Sequence, residues 1–384
     1  MFIRFVSHET DSFMKTLAVI GASYLQRPLV EKAKAMGLRV ICFAWADGAV
    51  CADIADMFYP ISIVEKDEIL QVCRAERISG VCTIASDVAA PTVAYVAQRM
   101  HLNGNNYQAA IKANNKYLMR LAFADAMIKS PRFTRITDSD ETDFSNWRFP
   151  LIVKPCDRSG SLGVSIAKDS QELQIGIDKA LSLSFKHEAI VEEYIEGREI
   201  SVEFISFRGV HYPLAITDKV TTEAPHFVEL EHHEPADLMP EQYAIINDTT
   251  KRALDSLGVT EGASHTEYRI SADGDIYIIE LGARMGGDFI GSDLIWLSTG
   301  YDFVKGVIEV ALSEFQEPVF GKQACSGVYF LSKETERLLP LFDHPECVSG
   351  VIRAELFNRD LKYVQCSAER SGYLIYQSDR KVVL

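Results

Sequence analysis

The spacing of apolar and polar positions along the 384-residue chain changes several times, and each change marks an element. Residues 17–20, 38–43 and 78–85 are short apolar runs and read as strands, while 27–36, 67–77 and 91–100 read as amphipathic helices. Strands alternating with helices predict an open α/β unit over residues 15–115 with a parallel sheet. Its first strand ends in Gly21-Ala22-Ser23, but Ala, Ser, Tyr, Leu and Gln follow Gly21, so the dinucleotide fingerprint GxGxxG is incomplete. A strand-to-helix turn needs a glycine for its own geometry, and the unit reads as a scaffold. Residues 107–126 follow as one helix. Beyond 149 the pattern turns β-rich, with strands at 151–153, 189–195 and 199–205, and later at 327–331, 350–357 and 372–377. A helix is expected around 290–297.

The strongest local signal lies at 263–291. Two β-rich runs, 265–270 and 276–281, flank Ser-Ala-Asp-Gly-Asp, and Asp-Gly between such runs predicts a hairpin. With Asp273-Gly274 as the central pair, Glu267 falls directly opposite Glu280. A four-residue loop keeps that register; an odd-length loop breaks it. Like charges opposed on an antiparallel pair are destabilising. A hard divalent cation taking carboxylate oxygens offsets the repulsion, and Mg²⁺ typically combines one or two carboxylates with substrate phosphates. Two glutamates on a solvated hairpin face are the alternative.

Other segments supply groups that suit a nucleotide. Lys154 ends the strand at 151–153 and precedes a loop with Ser159, Gly160, Ser161 and Gly163, whose hydroxyls and free N–H groups make an anion-binding nest. It is not a P-loop, because the lysine precedes the glycines. Lys116, on the helix at 107–126, reads first as a solvated charge. The connection Glu192, Glu193, Tyr194 and Ile195 offers backbone groups to an adenine, and Glu199 a carboxylate to ribose hydroxyls; an acidic hairpin explains the same residues. Residues 214–237 contain three of the nine histidines, His226, His232 and His233, without zinc spacing, and read as a substrate-facing loop. After the hairpin, Arg284 beside Gly286 and Gly287 combines a bidentate guanidinium with exposed N–H groups, which suits a carboxylate or phosphate.

Composition narrows the partners. A net charge of −15 disfavours nucleic acid and anionic membranes. Eight scattered cysteines form no CxxC pair, which points to reduced thiols in a cytoplasm. No apolar run reaches membrane-spanning length. Residues 1–14 hold His8, Glu9 and Asp11 and no signal-peptide apolar core, and read as an N-terminal extension.

The order and spacing of these parts resemble the ATP-grasp superfamily of carboxylate–amine ligases over essentially residues 15–384. NKYLMR with Lys116, the Lys154 strand, RSGSLGV, VEEYIEGREISVE and TEY…IELGAR carry the resemblance. Within the superfamily the chain is most similar to ligases that join two L-amino acids, through APHFVELEHHEPADL, SHTEYRI, IELGARMGG and AERSGYLIY. The resemblance implies an ATP-grasp fold of mixed α/β and α+β character. It comprises the α/β unit at 15–115, an ATP-grasp domain at 116–320 with a lid at about 125–190, and a small β-rich segment at 321–384. It implies that Lys116 and Lys154 hold ATP phosphates under the loop of Ser159, Gly160, Ser161 and Gly163. Glu192, Glu193, Tyr194 and Ile195 become the adenine hinge and Glu199 the ribose ligand. Glu267 and Glu280 become ligands of Mg²⁺, with Mn²⁺ as an alternative. Arg284 and Lys154 act in catalysis, and His226, Arg284, Gly286 and Gly287 face substrate. Gly282 departs from the asparagine many members carry two residues after the second metal glutamate, so the metal set is smaller or completed from elsewhere; the branch that joins L-amino acids shares this glycine, which does not imply loss of activity. The implied reaction joins a small-molecule carboxylate and an amine through an acylphosphate, releasing ADP and phosphate, and a homodimer is allowed. Alternatives are a different amine acceptor, such as a sugar-phosphate amine or a carrier-bound substrate, and an inactive nucleotide-binding regulator.

Overall fold

The structure, a computed structural model, describes residues 14–138, 142–160, 162–222, 226–321 and 323–384. The chain opens with β1 (Thr16–Ile20), α1 (Arg27–Ala35), β2 (Arg39–Phe43), β3 (Met57–Tyr59), α2 (Lys66–Ala75), β4 (Gly80–Cys82) and α3 (Ala90–Met100). The strands form a parallel sheet in the order β3-β2-β1-β4. Every residue of β1 is buried, as a central parallel strand covered on both faces requires. The expected strand at 78–85 shrinks to β4, and its remainder becomes a loop that returns below. The Gly21 turn, at φ +114°, is filled by the chain itself. Gln26 folds back to accept from Ser23 N and Oγ and to donate to Ile84 O. A Cβ on Gly21 would stand 2.8 Å from Gln26 Cδ.

The expected helix at 107–126 is two helices, α4 (Tyr107–Asn114) and α5 (Lys116–Asp125). Asn115 breaks it: its backbone is extended, and its side chain caps the second helix by accepting from Leu118 N. The break puts Lys116 in the first turn of α5, where its N–H bonds Cys156 O. Next come β5 (Phe133–Ile136), β6 (Leu151–Pro155), β7 (Ser165–Ala167), α6 (Ser170–Leu183) and β8 (Ala189–Glu193). They make an antiparallel sheet, β5-β8-β6-β7, packed on α6 through Leu173, Ile177 and Ala180.

The rest builds one eight-stranded sheet. Its members are β9 (Arg198–Phe207), β10 (Val210–Thr221), β11 (Glu229–Glu234), β12 (Gly262–Ile270), β13 (Ile276–Gly282), β14 (Cys325–Leu331), β15 (Val351–Leu356) and β16 (Gly372–Ser378). The order is β13-β12-β9-β10-β11-β14-β16-β15, so the last three strands extend the sheet beyond β11 instead of forming their own. Helix α7 (Pro240–Leu257) packs on it through Ile246, Ala253 and Leu254. Short α8 (Ile295–Thr299) and then α9 (Phe303–Ala311) lead to β14, and α10 (Leu339–Asp343) lies before β15.

Two readings of the sequence need correction. Residues 214–237 are not one loop: 214–221 belong to β10 and 229–234 to β11. Polar Thr217, Asp218 and Lys219 hid this, because they are buried against partners: Thr217 donates to Glu234, and Asp218 accepts from Arg198. The hairpin tip is also odd-length. Ser271 N bonds Asp275 O and Gly274 N bonds Ser271 O, with Gly274 left-handed at φ +84°, a three-residue turn with a glycine bulge. A second bulge, beside Ile279, shifts the register back by one, and Glu267 does pair with Glu280.

Glu234 carries a pH prediction. It is buried between Thr217 and Ser298, and burial pushes its carboxyl from 4.5 to about 8. The folded protein therefore holds a proton that the unfolded chain releases between those values, so stability should fall as pH rises from 4.5 to 8. Glu234→Gln should flatten that slope by about 1 kcal/mol or more. Urea denaturation at pH 5 and pH 8 measures it; an equal slope in both proteins removes Glu234 as its source.

Candidate active site

A cleft of about 740 Å³ lies between the antiparallel β5-β8-β6-β7 sheet and the eight-stranded sheet, with the loop after β4 at one end. Its floor is a cross-strand row. On neighbouring strands Arg269 stands beside Glu199, Glu199 beside Lys219, and Lys219 beside His232. Opposite charges side by side stabilise such a row. Arg269 Nη2 donates to Glu199 at 2.9 Å, and Lys219 Nζ lies 2.9 Å from the other Glu199 oxygen. Lys219 also reaches Glu267 at 2.6 Å and Glu229 at 3.6 Å. Burial would depress its ammonium, but these three carboxylates hold it well above its ordinary range. Next in the row, His232 is 1% exposed and both ring nitrogens lack a partner. Burial and the Lys219 charge push its pKa well down, so the ring is neutral.

The glutamate pair sits at the near edge. Glu280 accepts from Lys116 at 2.9 Å, so each carboxylate faces a lysine as well as its twin. Lys116 is 7% exposed and also donates to Arg158 O at 2.6 Å. It is thus no solvated helix charge. Burial works against its ammonium, yet Glu280, Asp87 and Glu192 keep it above the usual value. Lys154 lies 2.7 Å from Glu192, whose other oxygen is 2.6 Å from Arg120 Nε. Glu192 is 2% exposed; burial alone would raise its carboxyl, but the Arg120 and Lys154 charges hold it low. Its side chain is therefore committed to this triad. Glu193, Tyr194 and Ile195 line the same end of the cleft, and Arg269 donates to Ile195 O at 3.4 Å.

Ser159, Gly160 and Gly163 line the cleft wall, with Gly160 and Gly163 left-handed at φ +63° and +81°. Ser161 lies outside the described residues. His226, Gly287 and Arg284 also line the cleft. Gly286 does not: its N–H donates to buried Glu203, and a Cβ there would stand 2.7 Å from that carboxylate. Its N–H is therefore used inside the protein rather than offered to a ligand. Glu203 also holds His265, and burial notwithstanding, that carboxylate draws the imidazole up to about 9.

Sequence reasoning missed several of these groups. Lys219 and Arg269 sit in strands whose alternation was the available signal. Asp87 and Arg370 left no local signal. Arg370 donates to both oxygens of Asp288, at 2.7 and 3.0 Å, and stacks on Phe330. Arg284 pairs with Asp87, at 2.8 Å to Nε and 2.8 Å to Nη2.

The opposed Glu267 and Glu280 offer hard oxygens suited to Mg²⁺. Among the described residues no group of three acidic, histidine or cysteine side chains is arranged to hold a metal ion. The pair thus fits an ion whose remaining ligands are phosphate oxygens and water.

Comparison with known proteins bears on the domain and the fold. Residues 147–293 match the ATP-grasp domain. Alanine–anticapsin ligase of Bacillus subtilis (strain 168) is 28% identical over 271 residues, 61% of this chain and 57% of that protein. D-alanine–D-alanine ligase of Geobacillus kaustophilus is 25% identical over 56% of this chain and 63% of its own length. The chain spans little more than half the length of the alanine–anticapsin ligases it matches, 57% and 51% for two of them. The crystal structure of L-amino acid ligase from Bacillus licheniformis superposes with a TM-score of 0.77 at 23% identity, covering 95% of this chain and 94% of that one. Phosphoribosylglycinamide synthetase from Anaerococcus prevotii gives 0.75 at 22% identity over the same shares. This chain therefore carries an ATP-grasp domain, set within an ATP-grasp fold.

Proposed function

We propose that the protein is an ADP-forming ligase that joins an amino-acid carboxylate to the amine of a second amino acid through an acylphosphate. The observation that carries this reading is the convergence of Lys116, Lys154, Lys219, the Glu267–Glu280 pair and Arg284 on one cleft. Lys154 and Lys116 meet the ATP phosphates beneath the loop of Ser159, Gly160 and Gly163. Glu193, Tyr194 and Ile195 border the adenine, and Glu199 faces the ribose. Glu267 and Glu280 would hold Mg²⁺, which when bound neutralises phosphate charge.

A substrate carboxylate oxygen attacks the γ-phosphorus, the bond to the bridging oxygen breaks, and ADP leaves. The protein's part is positioning and charge neutralisation. The amine, having shed its ammonium proton to solvent, then attacks the acyl carbon, phosphate leaves with the bonding pair, and the nitrogen gives up a second proton, which the departing phosphate takes. The far end of the cleft holds Glu229 and Asp288, with Arg370 already committed to Asp288. With Arg370 so committed, that end suits an unphosphorylated amine better than a phosphorylated one. Eight free thiols accord with a reducing cytoplasm. No helix among the described residues is long and apolar enough to cross a membrane.

The test is a screen of amino-acid pairs for ATP-dependent phosphate release, with product mass. Release that needs both partners, and a product equal to their sum less water, is expected. Turnover only with a sugar-phosphate amine, or none with Mg·ATP bound, rejects the reading.

A second measurement concerns Lys154→Ala. The Kd for Mg·ATP should rise about tenfold or more, since charge-assisted bonds to phosphate are lost. Thermal stability without nucleotide should change little, because Arg120 still balances Glu192. An unchanged Kd by calorimetry removes Lys154 from phosphate binding.

A further inference from the structure

The loop after β4 belongs to the N-terminal unit, outside the matched domain, yet it docks on the segment that carries Arg284. Ala85, left-handed at φ +55°, donates its N–H to Met285 O at 3.1 Å. A non-glycine residue in that region is uncommon and clusters where geometry is functionally constrained. Two residues on, Asp87 takes Nε and Nη2 of Arg284 on its two oxygens, and the two side chains are only 12% and 16% exposed. This side-on fork fixes the guanidinium plane. Nη1 is left with a long contact to Met285 O at 3.3 Å, at the cleft wall.

Gly282 lies directly beneath the pair. A Cβ there would stand 2.4 Å from Asp87 Oδ1 and 3.1 Å from Arg284 Nε. Any side chain at 282 would displace the Asp87 carboxylate. That gives a physical reason for glycine at a position where many members of the superfamily carry asparagine. We propose that Asp87 is a positioning residue for Arg284, and that position 282 is glycine to admit it. Burial would raise the Asp87 carboxyl, but the Arg284 charge holds it below its usual range, so it is a full anion for this task.

What Arg284 does at the reacting atoms rests on the ligase reading; the pairing does not. Kinetics and NMR therefore separate the two. Asp87→Asn should lower kcat about a hundredfold, as misplacing a catalytic contact does, with the KM for ATP within about twofold. Gly282→Ala should reproduce that split. In an Arg284→Lys background, Asp87→Asn should add less than about threefold, because the pair acts as a unit. Independent losses that multiply, or a raised KM for the amine at unchanged kcat, would overturn the proposal; the latter makes Asp87 a substrate ligand. By NMR, the Nε–H of Arg284, assigned through its loss in Arg284→Lys, should exchange slowly in the wild type and rapidly in Asp87→Asn and Gly282→Ala. An unchanged signal in Asp87→Asn refutes the pairing. A wild type with the slow signal but no turnover of any amino-acid pair rejects the ligase reading alone.

Discussion

Glu280→Gln should reduce phosphate release at least about a thousandfold, the largest effect expected of any single substitution here. The change keeps size and shape and removes one of the two opposed anionic oxygens that the hairpin presents. Glu280 is partly exposed, with 27% of its side chain accessible, so no core contact is lost and the folded state should persist. Lys116 loses its carboxylate partner as well, and a defect could arise there instead. A Mg²⁺ titration separates the two: loss of a metal ligand raises the Mg²⁺ concentration needed for residual activity, whereas a misplaced Lys116 raises the KM for ATP alone. Turnover at the wild-type rate in a folded Glu280→Gln protein would end the metal assignment.

Arg284→Ala should lower kcat and kcat/KM together, by about a hundredfold to a thousandfold at saturating ATP. The reason is that Arg284 faces negative charge that grows as the acylphosphate forms and collapses. Arg284→Lys should recover little, because an ammonium cannot hold Asp87 side-on and still present a free edge to the cleft. The alternative is not a surface pair with the nearby Asp288, which Arg370 occupies. It is a buried strut between the N-terminal unit and the cleft. A strut alone predicts a lowered Tm with near-wild-type kcat in both variants, and that result would remove Arg284 from the chemistry.

How far the site could be read beforehand depended on whether its groups are close in sequence. Glu267 and Glu280 share one hairpin, and their pairing follows from local turn chemistry, although by a different route from the one expected. The tip has an odd residue and the bulge by Ile279 another, and the two one-residue shifts cancel. Lys154 and the following glycine loop were legible for the same local reason. Lys219 was not, because its meaning comes from Glu199, Glu229 and Glu267 on three other strands. Polar strands whose polarity is satisfied in the interior resemble loops until their partners are known. Asp87 and Arg284 lie almost two hundred positions apart, and only the docking of the loop after β4 joins them.

The sheet order also bears on how the chain matures during synthesis. Strands β14 to β16 follow β11 in space but are made some ninety residues and more after it. Both glutamates, Lys116, Lys154, Lys219 and Arg284 therefore leave the ribosome while β11 is still an open edge. That waiting edge, Glu229–Glu234, reads ELEHHE. Charge on an exposed edge discourages pairing with a neighbouring chain, so the acidity that borders the cleft also makes this edge a poor partner for another chain until its own later strands arrive.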